Sequence, residues 1–327
     1  MSHEVSPHAD AAGDDAVFPA PGFIDLQVNG YIGVDFCSLD LTEEGFINAA
    51  KALFSTGTVA FLPTVITASA EEYEHVLPII GKCVKMPEFR GRILGIHLEG
   101  PFISGKPGAV GAHRPQFTRA PDVEFLQKLV DLSGNTISMV TLAAELPGAE
   151  ELCRWCCSRG QQNPPQQAIV VSLGHQLANA DQLHRLMSAG AKMLTHLGNG
   201  MPNQVHRHSN PLMAGLSLPG LTAGIIADGF HLPDHVLRVT LLCKGIDGII
   251  AVSDMAPICG CAPGEYECLG TRVELEANCR VSEVGKSNLA GSGSTLLRCA
   301  NFLRSRLKVR LCCIKCNRWN YVKNKCF

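Results

Sequence analysis

The sequence has little charge and almost no bias in its sign. Charged residues make up 18% of the 327 residues, and 28 lysines and arginines nearly balance 30 aspartates and glutamates. It therefore lacks the basic surplus that binds nucleic acid and the acidic block typical of a solvated tail. We expect a small-molecule partner and no nucleic acid.

Long apolar runs are also missing. No stretch reaches the roughly 18 apolar residues that a membrane-spanning helix needs, so we expect no membrane association. Residues 1–17 are polar and acidic and lack the apolar centre of a secretory signal. We therefore predict a cytoplasmic protein in which residues 1–20 form a disordered N-terminal segment.

The 15 cysteines do not form the spaced pairs of a structural zinc site. Clusters occur at Cys153, Cys156 and Cys157 and again within residues 312–326, but neither has a convincing partner pair. Cysteines in a cytoplasmic chain are usually buried thiols. Structural zinc is therefore disfavoured, and residues 308–327 are interpreted as a divergent, basic, cysteine-rich tail.

What the sequence does contain is a repeated unit of a short apolar, β-branched run followed by a helix-like stretch. The eight runs are Gly22–Val28, Thr58–Ile66, Arg92–Leu98, Thr136–Ala143, Ala168–Leu173, Lys192–Thr195, Leu221–Ala227 and Gly248–Val252. Such runs suit parallel strands that are covered on both faces. They predict an α/β fold, a (β/α)₈ TIM-type barrel over residues 21–307. A doubly wound sheet is the alternative, but residues 28–33 poorly match its phosphate loop.

Helix boundaries can be predicted from the residues between these runs. Thr42, Ser69 and either Asn179 or Asp181 can accept hydrogen bonds from the free N–H groups of a first helical turn. Gly190 can end the helix that begins near Asn179. These signals strengthen the alternation of strands and helices.

A barrel of this type places its chemistry at the C-terminal ends of the strands. The polar residues at or just after those ends are Gln27, Asn29, Thr64, His97, Glu99, Glu145, His175, His196, Asp228, His231 and Asp254. His97 can be a partner of a ligand or a satisfied core histidine, and we favour the latter. Asp228 can simply shape a turn.

Four of these residues form a chemically coherent set. Glu99, His175 and His196 together match the two-histidine, one-carboxylate pattern of a catalytic metal site, although each alone is more often structural. Asp254 can be a helix N-cap or a general base that takes a proton from the water that the metal activates. The set predicts metal-dependent hydrolysis.

The motifs around these residues resemble those of N-acetylglucosamine-6-phosphate deacetylases, a branch of the amidohydrolase superfamily. The resemblance runs from about Pro21 to Leu297. It rests on PGFIDLQVNG (21–30), HLEGPF (97–102), GAH (111–113), SLGH (172–175), THLGNGM (195–201), IIADGFH (225–231), VSD (252–254) and LAGS (289–292). The first run carries Gln27-Val28-Asn29 where the superfamily often has His-x-His, which implies one main metal rather than two.

The resemblance implies hydrolysis of the N-acetyl group of N-acetylglucosamine 6-phosphate to glucosamine 6-phosphate and acetate, in amino sugar catabolism. One divalent ion, zinc or alternatively iron or another ion, would be bound by Glu99, His175 and His196. Asp254 would be the catalytic acid–base residue, and a homodimer is expected. The implied substrate-binding residues are Ala112, His113, Asn199, Gly200, Arg207, His231, Leu289, Ala290, Gly291 and Ser292.

The sequence also departs from the family pattern. The family's phosphate-binding arginine, often supplied by the other subunit, lies in a His-Arg-x-Pro-Gly stretch, whereas Arg207 here is spaced differently from Pro211. The family's small β domain is expected to be largely missing. The alternatives are therefore an amidohydrolase for a different amide and a truncated, inactive paralogue.

Overall fold

The computed structural model describes residues 22–161, 166–286 and 288–309, and its centre is a sheet of eight parallel strands in sequential order. The strands are β1 (Phe23–Val28), β2 (Thr58–Ile66), β3 (Ile96–Glu99), β4 (Ile137–Leu142), β5 (Val170–Leu173), β6 (Met193–Leu194), β7 (Thr222–Ile226) and β8 (Ile249–Val252). The sheet curls into a nearly closed barrel, which confirms the predicted (β/α)₈ TIM-type fold.

Helices follow the strands around the outside of the barrel. In the described ranges they are α1 (Glu43–Phe54), α2 (Ala70–Val84), α3 (Val123–Leu132), α4 (Ala149–Ser158), α5 (Ala180–Ala189), α6 (Pro211–Ser217), α7 (Asp234–Lys244) and α8 (Leu296–Leu307). None of these described helices is long and apolar enough to cross a membrane.

The helix starts follow the predicted capping residues. The Thr42 side chain accepts a hydrogen bond from the N–H of Gly45, and Ser69 forms a reciprocal capping box with Glu72. Asn179, rather than Asp181, caps α5, and Gly190 ends that helix at a φ of 118°. Local sequence therefore fixes where these helices begin and end.

The apolar residues divide between two cores, which explains why the strands are apolar on both faces. A small cluster fills the barrel interior, and a much larger one lies between the sheet and the helices. The interior cluster consists of Leu26, Leu62, Met139, Val170, Met193, Ile226, Ile250 and Val252. Branched and long side chains from many strands thus pack the barrel centre and leave chemistry to its rim.

The barrel closes between β1 and β8 by side-chain bonds rather than by a regular ladder. The N–H of Ser253 donates to Asp25 Oδ1 over 3.1 Å, and Ser253 Oγ donates to the carbonyl of Gln27 over 3.2 Å. One isolated bridge joins Val28 to Met255 just above. We call Asp25, Gln27 and Ser253 the seam.

The third predicted strand begins later than expected, so the bounds Arg92–Leu98 are wrong. Gly95 has a φ of 115°, which interrupts an extended run, and regular pairing starts at Ile96 and ends at Glu99. A Cβ at Gly95 would lie 1.9 Å from Ser138 Oγ, so only glycine permits this close approach.

Two small antiparallel sheets lie outside the predicted pattern. A hairpin pairs Gly30–Tyr31 with Val34–Asp35, and a three-stranded sheet of Gly264–Cys268, Thr271–Leu275 and Val281–Glu283 lies between β8 and α8. Residues 264–275 do carry the alternation of a two-sided strand pair around Leu269-Gly270, so this signal was available.

Some predictions concern residues that the structure does not describe. The N-terminal segment 1–20 and the tail from residue 310 onward lie outside the described ranges, so the predicted domain bounds stay predictions. All eleven described cysteines, including the cluster on α4, are free thiols.

Candidate metal centre and active site

Three buried side chains meet at the C-terminal mouth of the barrel. Glu99 ends β3, and His175 and His196 follow β5 and β6 after short turns. Glu99 Oε1 lies 3.2 Å from His175 Nε2 and 2.8 Å from His196 Nε2, and the two nitrogens are 3.0 Å apart. Atoms that bind one ion at about 2.0–2.2 Å have comparable mutual spacings of about 3–3.5 Å. This cluster can hold a metal ion.

Proton positions on the ligands support the same conclusion. His175 Nδ1 lies 2.8 Å from the carbonyl oxygen of Ala109. Because that oxygen only accepts, Nδ1 carries the ring proton, and Nε2 turns a lone pair towards the carboxylate of Glu99. Two sets of lone pairs facing one another inside a protein repel unless a cation lies between them. The donor set therefore fits a divalent ion.

Glu99 is kept charged and correctly oriented. Burial alone would raise its pKa, but the adjacent imidazoles of His175 and His196 hold the pKa of Glu99 well below its usual range. Gln27 Nε2 also donates to Glu99 Oε1 over 2.8 Å. Gln27 therefore supports the ligand from outside the cluster, as partners of metal ligands commonly do.

The backbone at three of the strand ends is in the left-handed region. The φ angles are 49° at His175, 28° at His196 and 49° at Asp254, although none is glycine. Such conformations cost on the order of 1–3 kcal/mol and persist where surrounding contacts hold them. Hydrogen bonds supply that restraint, since the carbonyl of His175 accepts from Ser104 N and that of Asp254 from Ser292 N.

Asp254 faces the same mouth as the cluster. Asn29 Nδ2 donates to Asp254 Oδ1 over 2.9 Å, which fixes the carboxylate plane. Burial and the nearby charge of Glu99 raise the pKa of Asp254 to about 6, an effect that a bound cation would oppose. The helix N-cap interpretation of Asp254 is wrong, because turns and the three-stranded sheet follow it instead of a helix.

His113 presents a proton to the metal centre. Its Nδ1 accepts from the N–H of Thr67 over 3.3 Å, so the ring proton is on Nε2. That Nε2 lies 3.1 Å from His175 Nε2 and 4.0 Å from Glu99 Oε2. Burial lowers the pKa of His113 well below its usual range, so the ring is a neutral hydrogen-bond donor.

A cavity of about 400 Å³ opens above these groups. Residues predicted for the site that line it are Glu99, Ala112, His113, His175, His196, Asn199, Gly200, His231, Asp254, Leu289 and Gly291. A metal-binding cluster, a fixed carboxylate and a fixed N–H donor therefore share the floor of one pocket. These are the groups that metal-dependent hydrolysis of a carbonyl compound requires.

Curated relatives of this chain share one name. The chain is 34% identical over 299 residues to N-acetylglucosamine-6-phosphate deacetylase of Caenorhabditis elegans, an alignment that covers 87% of this chain and 68% of the relative. The enzyme of Danio rerio is 33% identical and is covered over 69% of its length, with 87% of this chain aligned. The chain belongs to the N-acetylglucosamine-6-phosphate deacetylase family. No family model matches it.

Solved structures of this deacetylase family have the same fold. The enzyme of Mycobacterium smegmatis superimposes with a TM-score of 0.80 at 25% identity, covering 91% of this chain and 75% of the other. The enzyme of Pasteurella multocida gives a TM-score of 0.77 at 27% identity, covering 90% and 73%.

Three residues that the deacetylase resemblance implicates in substrate binding do not line the cavity. Arg207 is exposed on the loop before α6, and Ala290 and Ser292 are buried behind the wall. Sequence motifs identify a segment but not which of its side chains face inward. In contrast, Ile66 and Leu269 line the cavity and were not predicted.

The remaining strand-end residues have structural partners. His97 is fully buried, lies 2.8 Å from Thr141 Oγ1, and has its pKa lowered to about 4 by burial. It is thus a satisfied core histidine, as favoured from the sequence. Glu145 accepts a hydrogen bond from the N–H of Leu177 over 2.7 Å and does not line the cavity.

Proposed function

We propose that this chain hydrolyses the N-acetyl group of N-acetylglucosamine 6-phosphate and releases acetate and glucosamine 6-phosphate. The observation that carries the proposal is the convergence of Asp254 and the Nε2–H of His113 on the Glu99, His175 and His196 cluster at one cavity floor. The name of the curated relatives supplies the substrate.

Glu99, His175 and His196 would hold one divalent ion, for which we propose zinc, with iron as the alternative. When bound, such an ion polarises a carbonyl and acidifies a water molecule. Gln27 supports the ligand set through its bond to Glu99 Oε1.

Proton transfer falls to Asp254. Its carboxylate takes a proton from the attacking water and returns it to the leaving amine nitrogen as the C–N bond breaks. Asn29 holds Oδ1 by donating to it over 2.9 Å, so the other oxygen is the one that moves the proton.

His113 stabilises the negative charge that develops on the amide oxygen. A neutral imidazole with its proton on Nε2 can donate to that oxygen but cannot take the proton intended for the leaving nitrogen. The backbone N–H of Thr67 maintains this proton position.

The sugar phosphate would bind in the upper part of the cavity. The predicted substrate-binding residues that line that cavity are Ala112, His113, Asn199, Gly200, His231, Leu289 and Gly291. We further propose that the chain forms a homodimer in which the exposed Arg207 reaches the phosphate in the neighbouring subunit, and that it acts in the cytoplasm in amino sugar catabolism.

The test is acetate release, together with metal content, for the full chain supplied with zinc or iron. N-acetylglucosamine 6-phosphate and unphosphorylated N-acetylglucosamine are compared as substrates. The proposal expects turnover of the phosphorylated sugar, abolished by Asp254→Asn and retained by Asp40→Asn, which alters an exposed aspartate. A folded, metal-loaded chain that releases no acetate would refute the proposal. Equal turnover of both sugars would show that the phosphate is not recognised.

A further inference from the structure

The carboxylate of Asp228, just after β7, is buried and fully occupied by hydrogen bonds. Its Oδ1 accepts from the N–H groups of Phe230, at 2.9 Å, and His231, at 3.0 Å. Its Oδ2 accepts from His231 Nδ1, at 2.7 Å, and from Ser292 Oγ, at 2.9 Å. These four bonds use the lone pairs of an ionised carboxylate, and the bonds from His231 hold the pKa of Asp228 below its usual range.

One of these bonds determines the state of His231. Because an ionised carboxylate only accepts, His231 Nδ1 must carry a proton. The ring lines the cavity, and its Nε2 makes no hydrogen bond with any described residue. Asp228 thereby presents Nε2 of His231 to whatever occupies the cavity.

The bond from Ser292 connects the same carboxylate to the segment beside Asp254. Ser292 lies beside the backbone that carries Asp254: its N–H donates to the Asp254 carbonyl, and its own carbonyl accepts from Ala256 N, both over 2.8 Å. The left-handed backbone at Asp254 is restrained by the first of these bonds. Displacement of Ser292 would therefore shift the general base.

The turn between Asp228 and His231 requires glycine at its second position. Gly229 has a φ of 90°, and a Cβ at that position would lie 2.6 Å from the ring of Phe302 on α8. Glycine at this position therefore lets the turn pack closely against α8.

This arrangement differs from a nucleophilic serine triad. In such a triad the histidine lies between the serine and the carboxylate and accepts the hydroxyl proton. Here Ser292 Oγ and His231 Nδ1 both donate to Asp228 Oδ2, and Ser292 is 1% exposed. Ser292 therefore has no histidine positioned to accept its hydroxyl proton, and it does not line the cavity.

We propose that Asp228 is a positioning residue for the reaction, which holds His231 in the Nδ1–H form for substrate binding and, through Ser292, holds the backbone of Asp254. The kinetic part of this inference rests on the proposed deacetylase function. The part that concerns the His231 proton does not.

The first experiment reads the ring proton directly. In Asp228→Asn, the amide oxygen can still accept from the two backbone N–H groups, but its NH₂ then faces His231 Nδ1. We expect the ring to move its proton to Nε2, seen as exchanged ¹⁵N chemical shifts of the two ring nitrogens in ¹⁵N-histidine-labelled protein. Asp40→Asn is the matched control. An unchanged Nδ1–H form of His231 in folded Asp228→Asn would overturn the proposal, whether or not the chain is a deacetylase.

The second experiment uses kinetics to separate the two proposed roles of Asp228, its bond to His231 and its bond to Ser292. Asp228→Asn should lower kcat/KM about 10- to 100-fold, as loss of an orienting partner typically does. Ser292→Ala removes the bond to Asp228 Oδ2 and the bond that Ser292 Oγ accepts from the N–H of Ser294, and it should lower kcat about fivefold with little change in KM. Asp228→Asn should lower kcat/KM much less in a His231→Ala background than in the wild type, because the bond between Asp228 and His231 is already lost there.

Thermal unfolding and metal content are measured for each variant, so that a folding defect is recognised. If Asp228→Asn lowers kcat/KM equally in the wild-type and His231→Ala backgrounds, the proposed role through His231 is refuted. If Ser292→Ala leaves kcat unchanged, the proposed role through Ser292 is refuted. If wild-type protein releases no acetate, the proposed function fails while the ¹⁵N result still decides the His231 form.

Discussion

Two carboxylate–histidine groups border the cavity, and they are built from the same residue types with opposite results. Around Asp228 every contact is a donor facing an acceptor, so the group is complete without a ligand. Around Glu99 the unprotonated Nε2 of His175 faces a carboxylate oxygen at 3.2 Å, so the group is completed by a cation. Counting donors and acceptors therefore distinguishes a metal site from a positioning dyad where residue type alone does not.

The largest expected effect comes from removing the negative charge of Glu99 in the metal-binding cluster. Glu99→Gln replaces an anionic ligand by a neutral amide, and the NH₂ cannot bind a cation. We expect metal affinity to fall by more than about 100-fold, beyond the 10- to 100-fold typical of outer partners, with acetate release lost in parallel. Metal analysis after gel filtration measures this. Asp228→Asn should keep its metal, and if both variants lose metal equally the contrast between the two groups is broken.

Asp254→Asn should separate proton transfer from metal binding. The variant keeps the shape of the side chain but cannot take a proton, so kcat should fall roughly 10²- to 10⁴-fold. Metal content should remain at the wild-type level because Asp254 lies outside the cluster. A variant that lost both metal and activity would make Asp254 a ligand instead.

A smaller effect is expected at Gln27, which donates a hydrogen bond to Glu99 but is not a member of the metal-binding cluster. Gln27→Ala removes the 2.8 Å bond to Glu99 Oε1. We expect the metal affinity to fall about 10- to 100-fold, and we expect excess metal to restore activity. Competition with a chelator of known affinity measures the change. If affinity were unaltered, His175 and His196 alone would be sufficient to orient Glu99.

The last prediction concerns stability rather than metal binding or activity, and it is a change in the pH dependence of stability at the seam. Burial raises the pKa of Asp25 to about 7 in the folded protein, whereas an unfolded aspartate titrates near 4. The folded state therefore binds the proton more tightly between these values, so this contribution is present below about pH 4 and is lost as pH rises to about 7. Its full size is at most about 4 kcal/mol.

Asp25→Asn should remove this slope, because an amide does not titrate. Denaturant unfolding from pH 4 to pH 8, with a chelator present so that metal binding does not contribute, would measure it. Asp40→Asn should keep the wild-type slope. A variant Asp25→Asn with an unchanged slope would show that Asp25 is ionised in the folded protein at all these pH values.

Much of the fold could be predicted because its signals are local. The apolar runs mark seven of the eight barrel strands closely, and Thr42, Ser69 and Asn179 mark helix starts through bonds to residues three positions away. The third strand was misplaced because the interruption at Gly95 depends on the approach of Ser138, which is 43 residues away in the chain and is not visible in a local window.

The site could be predicted as a set of residues but not as a geometry. Strand ends brought Glu99, His175 and His196 together, as a barrel requires. The left-handed backbone at His175 and His196, and the orientation of Ser292 away from the cavity, are set by partners from other strands. A motif such as LAGS marks the segment, whereas long-range contacts decide which of its side chains face inward.

The pairing of Asn29 with Asp254 joins residues 225 positions apart across the seam. Closing so long a loop is slow, because non-local contacts form only after much chain entropy has been lost. During synthesis, Asn29 and the three metal ligands are all made before Asp254. Catalytic competence is therefore acquired only when the first and last strands of the barrel meet, which makes turnover itself a sensitive readout of completed folding.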